Sequence, residues 1–121
     1  QSEVLFPVGA ETINDAGQDE MKKLAAAIVE LQKEIPPEIN WVLRVDGHTD
    51  DKPLSGTGRY RDNWELSSAR ATSVVKFFIA NGVPANRLVA AGFGEFQPLD
   101  AADTDEAREK NRRIELKLTE R

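Results

Sequence analysis

Apolar residues recur along the first third of the chain with the period of a helix and then switch to the period of a strand. Met21, Leu24, Ala25, Ile28, Leu31 and Ile35 fall at i, i+3, i+4, i+7, i+10 and i+14, which predicts an amphipathic helix starting near Asp15 and ended by Pro36-Pro37. Its stripe assigns it to core packing. In Trp41-Val42-Leu43-Arg44-Val45-Asp46 the period drops to two, with Trp41, Leu43 and Val45 on one face and Arg44 and Asp46 on the other, as in a half-buried strand. A second helix is predicted from Asp62 or Asn63 to Ala80, anchored by Val74, Phe77 and Phe78 and stopped by Asn81-Gly82. Leu88 to Gly94 reads as an apolar strand ending in glycines, and residues 95 to 110 as an acidic loop with a short helix near Asp105 to Lys110. The last strand, Arg112 to Thr119, places Ile114, Leu116 and Leu118 inward and Arg113, Glu115 and Lys117 outward. Val4-Leu5-Phe6, ended by Pro7 and Gly9, reads as an edge strand. These elements predict a single α+β domain in the order β-α-β-α-β-β, with two long helices packed on one face of a mixed sheet.

Two cations break this pattern. On an ideal helix Asn63, Leu66, Ser67, Arg70, Val74 and Phe77 share one face, so Arg70 points where the apolar stripe points. A guanidinium stays charged and is rarely buried alone, so Arg70 requires an anion: Asp50, a ligand carboxylate, or both. Arg112 points inward by the alternation of the last strand, and for it both structural pairing and ligand contact stay open. Gly47 lets a backbone or a ligand come close at the end of the first strand, where His48, Thr49 and Asp50 follow. Residues 51 to 62, with Pro53, Gly56 and Gly58, form a loop long enough to be functional or mobile, and its Arg59 and Arg61 read first as solvated.

At 121 residues the chain supports one core, and 40% hydrophobic with 31% charged residues is an ordinary globular balance. There is no apolar run of the roughly eighteen residues a membrane span needs, nor an opening signal-peptide pattern. With Gln rather than Met at its start, the chain reads as a processed or excised piece of a longer protein, and any membrane attachment would come through parent segments absent from it. The absence of cysteine excludes disulfide and thiolate chemistry. A net charge of -5, from 16 basic and 21 acidic residues, argues against a nucleic-acid partner. A locally basic groove is still available from Arg59, Arg61, Arg70, Arg108, Arg112 and Arg113.

A hydrolase would pair His48 with Ser55, Ser67 or Ser68, yet no nucleophile elbow surrounds any of these serines. Asp46, His48, Asp50 and Asp51 make a thin metal set, because alternate strand positions send side chains to opposite faces. Gly92-x-Gly94 lacks the next glycine of a dinucleotide loop, since Gln97 stands there, so no cofactor is expected. An RNA-binding sheet would need exposed strand aromatics and a basic surface, and neither is visible.

Gly47-His48-Thr49-Asp50, Asn63-x-x-Leu66-Ser67-x-x-Arg70-Ala71, Gly82-Val83, Arg87, Gly92-Phe93-Gly94, Pro98 and Asn111-Arg112-Arg113-Ile114-Glu115 occur in order along the chain. This set resembles the signature of the OmpA C-terminal-like, or OmpA/MotB, domain, from about Val4 to Leu118. The resemblance implies noncovalent binding of peptidoglycan through the meso-diaminopimelate of the stem peptide, with no enzymatic turnover. It implies that Asp50 receives the ligand ammonium and Arg70 a carboxylate, and that Asn63 lies beside the ligand. The turn from Phe6 to Gly9 resembles one that lines the family's site, although Pro7 stands where many members carry Asp. Thr49 and Arg112 complete the candidate set. The length of the 51–62 loop and the Asn63-Trp64-Glu65-Leu66-Ser67 sequence are closer to the flagellar-motor-stator (MotB-like) branch than to the porin branch. The resemblance therefore implies an anchor for a larger envelope protein in a Gram-negative periplasm. A stator anchor specifically is the narrower alternative, and a peptidoglycan hydrolase the more distant one. A homodimer is compatible with the stator branch, although no heptad seam is present.

Overall fold

The computed structural model describes residues 15–54 and 60–120. The expected edge strand at Val4 to Phe6, the turn from Phe6 to Gly9, and Arg59 lie outside the described residues. The described chain runs α1 (Asp15–Gln32), β1 (Trp41–His48), α2 (Asn63–Ala80), a single 3-10 turn (Ala85–Arg87), β2 (Leu88–Gly92), α3 (Asp105–Asn111) and β3 (Arg113–Glu120). The sheet has the order β2-β1-β3, with β1 parallel to β2 and antiparallel to β3. It is the mixed sheet of an α+β fold, as the pattern predicts.

One face of the sheet carries both long helices. Met21, Ala25 and Ile28 of α1, Ala71, Val74 and Phe78 of α2, and Trp41, Leu43 and Val45 of β1 form one buried cluster, closed by Val83. Asp62, not Asn63, caps α2: its side chain accepts the Glu65 N–H at 2.9 Å. Helix α1 stops at Gln32, short of the expected Ile35. Beyond it the chain tightens into three-residue turns such as Lys33 N–H to the Glu30 carbonyl at 3.2 Å. Among the described residues the apolar stripe also outruns its cover. Leu31 is 45% exposed and Leu118, expected inward, is 51% exposed.

Helix α2 approaches the strand ends at backbone distance. Gly47 and Gly92 are partners in the β1–β2 register. A Cβ on Gly47 would stand 2.2 Å from the Ser67 carbonyl oxygen, and one on Gly92 2.1 Å from Ser68 Oγ and 2.7 Å from its nitrogen. The sequence-level expectation of a close approach at Gly47 is thus met by a helix backbone. Ser67 adds a hydrogen bond, its Oγ accepting the Gly94 N–H at 3.0 Å.

The rear face corrects the simple alternation. β1 is buried on both sides, and Asp46 and His48 are buried although they face away from the helices. Arg113, expected outward, does lie on this face but is covered. Its guanidinium reaches Glu115 at 2.6 Å, the Gln97 carbonyl at 2.9 Å and the Asn111 carbonyl at 3.2 Å. Arg44 forks onto Asp46 at 2.7 and 3.0 Å. Phe93 stacks on the His48 ring with centroids 5.0 Å apart. Asn111 fastens the covering segment, accepting the Leu99 and Asp100 N–H groups at 2.8 and 3.1 Å. His48 Nε2 lies 3.3 Å from Glu115 Oε2, and Nδ1 is buried without a hydrogen-bond partner among the described residues. Burial, and then the charge of Arg113, hold the His48 pKa below its ordinary value against the opposing pull of Glu115 and Asp46.

Two outcomes are expected. Gly47→Ala forces a methyl into a backbone oxygen, so it should destabilise by about 1–3 kcal/mol or more, read as a lower urea midpoint. Secondly, the folded state favours neutral His48 while the unfolded chain titrates near 6.5. The unfolded state then takes up more protons as the pH falls past that value, so stability is full above it and declines below it. Urea midpoints measured from about pH 8 to about pH 5 should show this decline, and His48→Gln should flatten it.

Candidate functional site

The C-terminal end of β1 and the first turns of α2 converge on a cavity of about 330 Å³ lined by Thr49, Asp50, Lys52, Leu66, Arg70 and Arg112, with Asn63 and the Pro53-Leu54 segment completing the wall. Five expected site residues, Thr49, Asp50, Asn63, Arg70 and Arg112, meet here. Phe6 and Gly9 lie outside the described residues.

Each side chain is placed by local structure. Asp50 follows the last strand residues and turns the chain: its Oδ1 accepts the Lys52 N–H at 3.1 Å, and its Oδ2 accepts Arg112 at 2.6 Å. A carboxylate offers about four lone-pair sites, so this one retains acceptor capacity. Thr49 is buried, held by its N–H on the Gly94 carbonyl at 2.9 Å, and its hydroxyl donates to the Asp50 carbonyl at 2.9 Å. Asn63 is not the helix cap. Its amide nitrogen donates to the Asp50 carbonyl at 3.3 Å and the Lys52 carbonyl at 3.0 Å. With both amide hydrogens spent on the turn, its oxygen is the atom left for a ligand donor.

Arg70 is only 3% exposed and stands in the cavity wall on the face of α2 that carries Leu66 and Val74. It is engaged within the protein, and five N–H donors give a guanidinium capacity beyond one partner. The structural pairing considered for Arg112 is present, with Asp50 as partner. Among the described residues the cavity wall therefore carries three cationic side chains, Lys52, Arg70 and Arg112, against one carboxylate, within a chain of net charge -5.

Sequence reasoning missed Lys52. It sits in an aperiodic loop, where the only available signal was the loop's length. Arg108, counted among possible groove cations, is instead drawn to Asp51, Asp103 and Asp105. Arg61 is exposed, with its N–H on Glu65 Oε1 at 3.3 Å, which fits the solvated reading. His48 points to the rear face and does not line this cavity. Among the described residues no cluster of His, Cys, Asp and Glu is arranged to hold a metal ion, and no helix is long and apolar enough to cross a membrane.

Comparison with known proteins identifies the family. The chain is 36% identical over 118 residues to the uncharacterized protein YtxE of Bacillus subtilis, covering 96% of this chain and 45% of that one. It is 33% identical over 103 residues to Motility protein B of Helicobacter pylori, covering 85% and 39%. The chain thus spans less than half the length of these curated relatives. Among solved structures, a MotB-like protein from Desulfovibrio vulgaris superposes with a TM-score of 0.87 at 32% identity, over 99% of this chain and 70% of that one. The cell wall anchor of the T6SS from Pseudomonas aeruginosa superposes with a TM-score of 0.81 at 29% identity, over 96% and 75%. With the OmpA family model matching residues 5–112 and MotB-like domains sharing its whole fold, the chain belongs to the OmpA family.

Proposed function

We propose that this domain holds peptidoglycan noncovalently through the meso-diaminopimelate of the stem peptide and so anchors a longer envelope protein to the cell wall. The observation that carries the reading is the cavity in which Asp50 stands beside Lys52, Arg70 and Arg112. The free end of diaminopimelate carries an ammonium and a carboxylate a few ångströms apart, and such a pair asks for one fixed anion and one fork-shaped cation. In this assignment Asp50 takes the ammonium and Arg70 the carboxylate. Thr49, the Asn63 oxygen and Arg112 complete the polar wall, and Phe6 and Gly9 stay in the proposed ligand-binding set. A lysine-type stem peptide lacks the second carboxylate and would leave buried Arg70 without its ligand partner, which supplies the selectivity.

The relative lengths support a larger parent protein, and family membership makes this a binding module and not an enzyme. The setting we assign is the periplasm of a Gram-negative envelope. The similarity extends to a MotB-like protein and to a T6SS anchor, so the machine being anchored is set by the parent's other segments, with a flagellar stator as the nearest assignment. Within that parent we assign the domain to a homodimer. Exposed Leu31 and Leu118 border one small apolar hollow with Ile28 and Ile35, a surface that a second copy would cover.

The domain should co-sediment with purified diaminopimelate-type sacculi and release no soluble muropeptides. Arg70→Ala and Asp50→Asn should each lower binding by about 2–5 kcal/mol while the fold survives. If the two residues serve only as buried ion-pair members, each change should instead cost about 3–5 kcal/mol of folding stability. Thermal melts run beside the sedimentation assay separate the two cases, and folded variants that sediment like the parent would defeat the assignment. For assembly, light scattering over a concentration series should show a monomer–dimer mixture; a monomer throughout would remove the dimer from the proposal.

A further inference from the structure

Two large aromatic side chains are left in water near the N-terminus of α2. Trp64 is 50% and Phe96 58% exposed, and their rings stack on each other with centroids 5.0 Å apart and planes 28° from parallel. Leaving so much ring surface uncovered is unfavourable for a fold that could have buried it. The pair is nevertheless supported from beneath. Gly94 takes a left-handed φ of 63°, and a Cβ there would stand 3.3 Å from Trp64 and 3.4 Å from Phe96, so the rings rest on a residue that gives them room.

Both residues follow closely in sequence on residues bonded to the cavity wall. Trp64 follows Asn63, whose amide holds the 50–52 turn. Phe96 lies two residues after Gly94, whose carbonyl holds Thr49 and whose N–H is held by Ser67. The aromatic pair therefore stands at the same end of the sheet as the cavity.

We propose that Trp64 and Phe96 form a stacking platform for the pyranose rings of a glycan strand, a saccharide subsite beside the charged cavity. The proposal rests on the peptidoglycan-binding reading and names the second part of that ligand. The C–H face of a pyranose is a flat apolar surface that packs on an aromatic ring, while its hydroxyls stay at the rim. Asp62, Glu65 and Glu95, neighbours of the two rings in sequence, supply carboxylate acceptors for such hydroxyls. The same carboxylates repel an anionic lipid surface, so a membrane is the poorer occupant.

The test uses the domain with three probes: glycan strands stripped of peptide, free diaminopimelate-containing stem peptide, and a muropeptide carrying both. Trp41 is buried, so a change in tryptophan emission on adding stripped glycan strands reports Trp64, and such a change is expected. Trp64→Ala should lose about tenfold in affinity for the muropeptide and keep its affinity for the free stem peptide. Phe96→Leu, which keeps an apolar side chain but removes a ring, should lose affinity in the same direction. Thermal melts check that both variants are folded. Muropeptide binding equal to the parent's in both variants overturns the platform while leaving the charged site standing. Failure of the parent to bind the free stem peptide or the muropeptide overturns the underlying reading as well. Binding of the parent to anionic vesicles that Trp64→Ala abolishes, with no response to glycan, also overturns the proposal.

Discussion

The contact on which this domain depends is the seating of a helix backbone directly on two neighbouring glycines. Gly47 and Gly92 face each other across β1 and β2, and no side chain separates them from Ser67 and Ser68. Glycine carries an entropic cost in a strand, and the return is proximity. Only with α2 this close can the Asn63 amide reach the carbonyls of the 50–52 turn and Ser67 Oγ reach the Gly94 N–H. The cavity is the space left where the helix N-terminus overhangs the turn. Its position follows from what is missing at two strand positions as much as from what lines it.

Much of this was legible because it rests on short-range periodicity. The two long helices, the switch to period two at Trp41 and the misplaced cation Arg70 all follow from which residues share a face. The identity of the helix cap was harder: Asp62 and Asn63 are both good caps, and only the folded loop decides that Asn63 is used on backbone carbonyls instead. Alternation placed Arg113 on the correct face of β3 but said nothing of the 93–99 segment that folds over it. Leu31 and Leu118 show the converse, since an apolar stripe cannot reveal where its cover ends. Lys52 belongs to no period at all, so its place in the cavity wall depended on a turn that only the structure supplies.

Asn111, Arg112 and Arg113 show how three consecutive residues can hold three separate parts of a fold. Asn111 closes α3 and fastens the backbone at Leu99 and Asp100. Arg112 extends toward the helix-bearing side and reaches Asp50, sixty-two residues earlier in the chain. Arg113, the first residue of β3, takes the opposite face and fixes the Gln97 carbonyl. The run therefore couples the cavity to the rear cover through a single strand start. A conservative Arg-to-Lys change would not preserve this at Arg113, because one ammonium cannot reproduce a fork spread over Glu115 and two carbonyls.

The two faces of β1 also differ in how their charges are arranged, and the difference bears on function. At the rear, Arg44 is matched by Asp46 and Arg113 by Glu115, so these ions are closed pairs that serve the fold. In the cavity, among the described residues, one carboxylate stands among three cations, one of them almost wholly removed from water, where charge is screened less than at the surface. Under the proposed function this imbalance selects for a ligand with both signs of charge. A simple anion would satisfy the cations but meet the repulsion of Asp50. A simple amine would gain Asp50 but meet the repulsion of the cations. A group that brings a carboxylate and an ammonium together offsets each repulsion with an attraction, because each of its charges meets an opposite charge held on a different element of the fold.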